Sequence, residues 1–158
     1  MRPYDPERDA ADLWALKAAF ERELGAAGGD EKASAYEGKL TEDYRERYLA
    51  WARRCVAREN CILVEPGDDG LAGYVFLLPE RLAFVWDAAV VNEIYVRPDD
   101  RGTGLADELL KAALAHAHEQ DLPLDRVVLD VDRENERARA FYERHGFDHW
   151  GEMVSRDL

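Results

Sequence analysis

The sequence contains few cysteines and lysines, and it has no long apolar run. Its two cysteines, Cys55 and Cys61, are too few for a disulfide framework and lack the spacing of a zinc site, so we expect reduced thiols. No apolar run reaches the roughly 18 residues that a membrane-spanning helix needs, and the first residues lack the apolar core of a signal peptide. These absences predict a cytoplasmic protein that does not enter a membrane.

Positive charge is scarce as well. Lysine and arginine together number 21 against 34 aspartates and glutamates, which gives a formal net charge of -13. Such a surface repels phosphate backbones, so we expect no nucleic-acid partner, and it favours a cationic substrate. The acidic, lysine-poor composition is equally typical of the acidic proteomes of halophile-like organisms with a saline cytoplasm. Charge alone therefore leaves the substrate open.

The 158 residues fit one compact domain, and the first part of the chain predicts two helices joined by a loop. Apolar residues recur at helical spacing over residues 10–24. Residues 25–40 are rich in glycine, alanine and charge without periodicity, which predicts a surface loop. Thr41 is typical of a helix N-cap. The helix after it carries a stripe that we expect to pack in the core: Tyr44, Tyr48, Trp51 and Cys55.

The middle of the chain is β-prone. Residues 62–64 and 73–78 flank a turn rich in proline, glycine and aspartate, which predicts an antiparallel hairpin. Residues 89–96 predict a further strand that stops at Pro98, because proline cannot donate a hydrogen bond to a sheet. A helix over residues 103–120 is expected next, since its small and apolar residues fall on one face.

The last part of the chain predicts a strand over residues 127–131 and a helix over residues 135–145. Gly146 follows that helix at the position where glycine commonly adopts the left-handed conformation. From Phe147 onward we expect one or two further strands. The alternation of strand, helix, strand and helix after the hairpin predicts a mixed α/β domain.

A glycine-rich turn between the strand at 89–96 and the next helix is the most informative segment. Gly102 and Gly104 let the backbone approach an anion, and the unbonded N–H groups and the dipole of the helix start favour phosphate. Arg101 adds positive charge. No Gly-Lys-Ser/Thr follows, which excludes a P-loop. A dinucleotide site fits less well than a phosphate site of another kind, because Asp107 stands where that motif has its third glycine.

Two motifs in register resemble the GNAT acetyltransferase superfamily. The first is Arg or Gln, two residues, Gly, one residue, then Gly or Ala, and it is satisfied by Arg101, Gly104 and Ala106. The second begins at Asn135 and includes Tyr142, followed by a Gly-Phe pair at the expected distance. Two motifs with the right separation are far more specific than the glycine turn by itself.

The resemblance is strongest over residues 89–147 and implies one GNAT N-acyltransferase domain, a mixed α/β fold, over residues 1–158. It implies acetyl-CoA as the acyl donor. No metal is expected, because His116 and His118 are two residues apart on a predicted helix and no His-Glu-x-x-His motif occurs. Strand backbone groups would bind the pantetheine arm and acyl carbonyl, turn amides would hold the pyrophosphate, and Asn135 would bond the cofactor where two parallel strands splay apart. The implied cofactor-binding residues are Ile94, Tyr95, Val96, Arg101, Gly102, Thr103, Gly104, Leu105, Ala106, Asp107 and Asn135.

The same resemblance implies that Tyr142 is the general acid that protonates the departing thiolate of CoA. Packing in an apolar helix stripe is its alternative role. The amine nucleophile must be neutral to attack, so a base is needed, and two carboxylates are candidates. Glu93 lies on the strand before the turn. Asp130 lies five residues before Asn135, where N-terminal acetyltransferases of ribosomal-protein type carry a glutamate, and its shorter side chain would act through a water.

The acceptor has no readable motif. A protein or peptide N-terminus, a lysine and a small amine all stay open, with a protein or peptide amine slightly favoured by the position of Asp130. A homodimer is also left open. A non-catalytic GNAT-like module that senses acyl-CoA or binds a protein is the alternative to an enzyme, and Tyr142 beside candidate bases favours the enzyme.

Overall fold

The computed structural model describes residues 1–158, in which one sheet carries helices on both faces. The helices are α1 (Ala10–Ala26), α2 (Gly29–Lys39), α3 (Glu42–Val56), α4 (Leu105–Ala117) and α5 (Glu136–Arg144). The strands are β1 (Arg2–Pro3), β2 (Ile62–Gly67), β3 (Gly70–Leu77), β4 (Ala89–Val96) and β5 (Val127–Val128). None of these helices combines the length and apolar character that crossing a membrane requires.

The sheet has the strand order β1-β2-β3-β4-β5. The first four strands pair antiparallel, whereas β4 and β5 run parallel. The parallel pair needs a crossover, and α4 supplies it. The mixed α/β fold class predicted from the sequence is therefore confirmed.

Two apolar layers cover the faces of the sheet because side chains alternate along each strand. Tyr74 and Phe76 of β3 point toward α1 and α3, and Val75 and Leu77 point toward α4. All four are essentially excluded from solvent. Each large apolar side chain buried in this way contributes roughly 1.5 to 3 kcal/mol. The two layers hold β4 and α4, and thus the glycine turn between them, in a fixed arrangement.

Most predicted elements are confirmed. The helix expected over residues 10–24 is α1, and the hairpin is β2 and β3. Thr41 caps α3 as predicted, since its hydroxyl oxygen accepts a hydrogen bond of 3.2 Å from the Tyr44 amide. Gly146 ends α5 with a φ of 82°. The predicted helix over residues 103–120 is shorter, because Gly104 has a φ of 90° and α4 begins only after it.

The prediction of a loop over residues 25–40 was wrong, because most of this segment forms α2. No residue of α2 is buried, so it has no apolar stripe for sequence periodicity to detect. Ion pairs to α1 attach it instead: Glu37 to Arg22 at 2.8 Å and Lys39 to Glu21 at 2.6 Å. The helix also packs closely on Gly25, where an added Cβ would lie 2.9 Å from Cβ of Tyr36.

Two predictions for the end of the chain also need correction. The strand expected over residues 127–131 is confined to Val127–Val128, since β5 leaves β4 after two residue pairs. The expected strands after Phe147 do not form. Side-chain contacts hold this tail instead, because the ring of Trp150 stacks 3.6 Å from the Arg126 guanidinium carbon and Glu152 pairs with Arg133 at 2.8 Å.

Candidate active site

The gap between the two parallel strands is the entrance to the site. β4 and β5 pair only at Ala89–Val127 and Val90–Val128. Beyond this point one edge of β4 has no partner. The structure therefore contains the splay that the sequence resemblance implied, and it places polar backbone groups along it.

Strand alternation decides which backbone groups face the gap. The Arg97 amide donates to the Ala72 carbonyl of the neighbouring chain segment at 2.9 Å. Groups of alternate residues point to the same edge, so Tyr95 bonds to β3 while Ile94 and Val96 face the gap. The Val96 carbonyl accepts a hydrogen bond of 3.0 Å from Arg101. Of the three residues expected to bind the pantetheine arm, Ile94 thus offers a free amide and carbonyl, Val96 offers its amide alone, and Tyr95 offers neither.

The turn after β4 forms a cradle of unbonded amides. Gly102 and Gly104 have φ values of 79° and 90°, a region that favours glycine. The first helical hydrogen bond of α4 is from the Glu108 amide to the Gly104 carbonyl, at 3.1 Å. The amides from Gly102 to Asp107 therefore bond to no acceptor within the protein. The space beside both glycines is open, so a ligand can approach the backbone.

Arg101 links the turn to β4 and to α1. Its Nε donates to Val96, and its terminal nitrogen lies 2.6 Å from Oε1 of Glu23 on α1. The guanidinium also lies over the ring of Tyr95, whose hydroxyl donates to Glu23 at 2.9 Å. The positive charge of Arg101 is thus paired with Glu23 and is not free for an anionic ligand.

A small cavity of about 70 Å³ lies where the strands separate. It brings together four predicted site residues with polar side chains, from β4, the segment after β5 and α5: Glu93, Asp130, Asn135 and Tyr142. Ile94 also lines it, and Phe20 and Leu24 of α1 form one wall. The cavity is the one place in the fold where the expected acid and both expected bases meet.

Asn135 and Tyr142 project from α5 into this cavity. Asn135 caps α5, because its side-chain oxygen accepts a hydrogen bond of 3.0 Å from the Ala138 amide. The NH2 group of Asn135 donates to no acceptor in the protein. The Tyr142 hydroxyl has no hydrogen-bond partner in the protein. Burial raises the pKa of Tyr142 to about 12, so the phenol retains its proton at neutral pH.

Glu93 is engaged in a buried network rather than free in the cavity. It is only 4% exposed. Its Oε1 pairs with Lys17 at 2.6 Å, and its Oε2 accepts hydrogen bonds from Tyr48 at 2.8 Å and Tyr74 at 2.7 Å. These donors occupy the positions from which a carboxylate would take a proton from an amine.

Lys17, the partner of Glu93, was not predicted from the sequence as part of the site. It lies on the apolar face of α1, four residues after Leu13, and pairs with Glu21 at 2.5 Å in addition to Glu93. Burial lowers the pKa of Lys17, but the two carboxylates outweigh that effect and raise it overall. A lysine at a core position of the helical pattern was the available signal, because such a lysine requires a buried carboxylate partner.

Asp130 has the opposite surroundings. It lies just past β5, is exposed, and makes no hydrogen bond or ion pair. Its carboxylate reaches both the cavity and the solvent. Of the two predicted bases, Asp130 has the free lone pairs and Glu93 does not.

Comparison with known proteins identifies relatives of the chain. The sequence profile of the acetyltransferase (GNAT) family matches residues 26–147. A mycothiol acetyltransferase of Salinispora tropica is 34% identical over 145 residues, covering 83% of this chain and 45% of that protein. The chain thus spans about half the length of the curated relatives it matches.

Solved structures share the fold. A GCN5-related N-acetyltransferase from Ralstonia eutropha superposes with a TM-score of 0.69 at 20% identity, covering 99% of this chain and 96% of that one. The PaiA N-acetyltransferase from Thermoplasma acidophilum, solved in complex with coenzyme A, gives 0.66 at 18% identity over 93% and 87%. At these identities the likeness concerns the fold alone.

Proposed function

Because this chain belongs to the acetyltransferase (GNAT) family, we propose that it transfers an acetyl group from acetyl-CoA to a primary amine. Its similarity to proteins named mycothiol acetyltransferase supports an amine acceptor, which here is a small amine or the amine of a peptide or protein. Direct attack of the amine on the bound thioester is the proposed reaction.

One observation carries this proposal: the cavity, the free edge of β4 and the cradle follow one another along β4 and the turn after it. The unbonded amides from Gly102 to Asp107 fit a pyrophosphate, because they supply donors at a helix N-terminus with open space in front. The free groups of Ile94 then fit an amide-containing arm. That arm would end beside Tyr142 in the cavity.

When bound, acetyl-CoA supplies an acyl group activated as a thioester. The residues of the chain have to deprotonate the amine, stabilise the carbonyl oxygen as it gains charge, and protonate the leaving sulfur. We assign deprotonation to Asp130, directly or through a water, since a free amine has a pKa of roughly 8 to 10 and arrives protonated. Glu93 fixes β4 to α1 through Lys17, and the structure favours that positioning role over a role as base.

Backbone amides at the free edge of β4 are suited to stabilise the oxyanion. The amides of Ile94 and Val96 face the gap and are fixed by the sheet before the reaction begins. Donors held in this way gain strength when water is excluded, and removal of one such donor costs other enzymes about 3 kcal/mol.

Tyr142 is the proposed general acid. Its hydroxyl lines the cavity, keeps its proton at neutral pH, and has no competing partner. A phenol in this position can donate to the sulfur as the bond to carbon breaks, which converts a poor thiolate leaving group into a neutral thiol.

Thiol release from acetyl-CoA in the presence of a panel of amines tests this function. The panel should contain a peptide N-terminus, a lysine side chain, a monoamine and a polyamine, each measured at low and high KCl. Amine-dependent release supports the acetyltransferase. Tight binding of CoA without release on any amine at either salt concentration would show a sensor or an interaction module instead.

A further inference from the structure

An ion pair at the mouth of the cavity joins α2 to the loop before α5. Lys32 of α2 bonds to Asp132, which lies a hundred positions away in the sequence. Asp132 lines the same cavity as Asp130 and Tyr142. A primary ammonium group from the chain itself is therefore seated on a carboxylate of the proposed active site.

The surroundings keep this ammonium group charged. The hydrogen bond that Lys32 donates to Asp132 is the main cause that raises the pKa of Lys32, and the charge of Asp130 adds to it. An amine that attacks a thioester must lose its proton, and Asp132 opposes that loss. Asp132 differs from Asp130 in being a poor base, because hydrogen bonds from Lys32 and from the Glu134 amide lower the pKa of Asp132. A cation seated there therefore stays an ammonium ion and is not the nucleophile.

We infer that Asp132 recognises a second cationic group of the acceptor, and that Lys32 occupies this position until the acceptor displaces it. The inference rests on the proposed function and names its substrate class: amines with a second positive charge, such as a diamine. The reacting nitrogen would then lie at Asp130. Asp130 and Asp132 are two residues apart, so their Cα atoms are separated by at most roughly 7 Å, a span that a four-carbon diamine can bridge.

The contact between Lys32 and Asp132 is suited to exchange. Side-chain exposure is 30% for Lys32 and 18% for Asp132, so the lysine can swing into solvent while the carboxylate stays at the cavity. Partly exposed ion pairs contribute about 0 to 1 kcal/mol, which a ligand can overcome. Only the Lys32 side chain has to move. α2 itself stays in place, because Lys39 and Glu37 attach it to α1.

Binding of putrescine and of butylamine, its monoamine counterpart, tests the inference by titration calorimetry with CoA present. Lys32→Gln should bind putrescine about two- to fivefold more tightly than the unaltered chain, because the internal competitor is gone. Asp132→Asn should lose the preference for putrescine over butylamine. Lys39→Gln is the matched control on the same helix, since Lys39 pairs with Glu21 and not with the cavity, and it should behave as the unaltered chain.

Equal putrescine affinity in all four proteins, or no putrescine binding to Lys32→Gln, would overturn the inference. The same proteins, assayed for thiol release from acetyl-CoA, separate it from the proposed function. Thiol release on some amine, without the predicted differences in putrescine affinity, would support the acetyltransferase activity and exclude the proposed role of Asp132. Those differences in putrescine affinity, without release on any amine, would support Asp132 as a cation site and exclude the acetyltransferase activity.

Discussion

At the scale of single residues, Tyr142 and Asn135 carry most of the evidence for a cofactor site. Both were predicted from a motif in the sequence, and the structure brings both to the cavity with Asp130. The network of Glu93 could not be predicted in the same way. It depends on Lys17, Tyr48 and Tyr74, which come from three separate elements and meet only after folding.

Replacement of Tyr142 by phenylalanine should lower kcat by roughly 100-fold or more and leave CoA affinity nearly unchanged, because only the proton donor is removed. Since burial raises the pKa of Tyr142 to about 12, ionisation of this phenol should not reduce activity until the pH nears that value. Steady-state kinetics and CoA titration of both proteins across pH measure this. An unchanged kcat at every pH would exclude the acid role.

Replacement of Glu93 by glutamine should lower the free energy of unfolding substantially and lower kcat/KM only slightly. Loss of the charge that faces Lys17 and two tyrosines costs roughly 2 to 4 kcal/mol, or a fall in Tm of roughly 5 to 10 °C. Asp130→Asn is the matched comparison, since this carboxylate is exposed and unpaired. It should retain its Tm and lose roughly 100-fold in kcat/KM. A Glu93→Gln variant with normal Tm and no activity would instead identify Glu93 as the base.

At the scale of elements, β2, β3, β4, α5 and the helices with an apolar stripe were predicted, whereas β1 and α2 were not, and β5 was predicted too long. α1, α3 and α4 each bury an apolar face, which leaves a helical period in the sequence. α2 buries nothing and is attached by ion pairs, so its period is absent. β5 ends after two residues because the chain separates from β4 there. The β-propensity of residues 129–131 does not indicate where this pairing stops.

The start of α4 provides a sharp test of the phosphate cradle. Gly104→Ala introduces a side chain at a φ of 90°, which costs about 1 to 2 kcal/mol or shifts the turn. We expect CoA affinity to fall at least about tenfold, because the amides from Gly102 to Asp107 lose their alignment. Gly146→Ala is the control, since its φ of 82° imposes similar strain at the end of α5. Equal CoA affinity of the two variants would remove the cradle from the cofactor site.

At the scale of the whole molecule, net charge is the dominant property. With a formal charge of -13 the folded chain repels itself, and salt screens that repulsion. Thermal unfolding should therefore shift to higher temperature as KCl is raised from low to molar concentration. A Tm that falls with KCl would mean that screening of the ion pairs, such as Glu37 with Arg22, outweighs relief of the general repulsion.

The hairpin and the strand, helix, strand unit were predicted from the sequence, whereas β1 and the pairing order of the whole sheet were not. The parallel β4 and β5 separate after two pairs, and the glycine turn, the free edge and α5 converge on that gap. Family membership indicates acetyl transfer as the chemistry that we propose for this gap. The acceptor could not be predicted from the sequence, because the contact proposed to select it, Lys32 with Asp132, joins residues a hundred positions apart.

Mass spectrometry of amines incubated with the full chain and acetyl-CoA shows whether the chain transfers an acetyl group. We expect an N-acetylated amine in equal amount to the CoA thiol released, with both products reduced together in the Tyr142→Phe variant. Thiol release without an acetylated amine, or no acetylated product from any amine at any KCl concentration, would contradict this expectation.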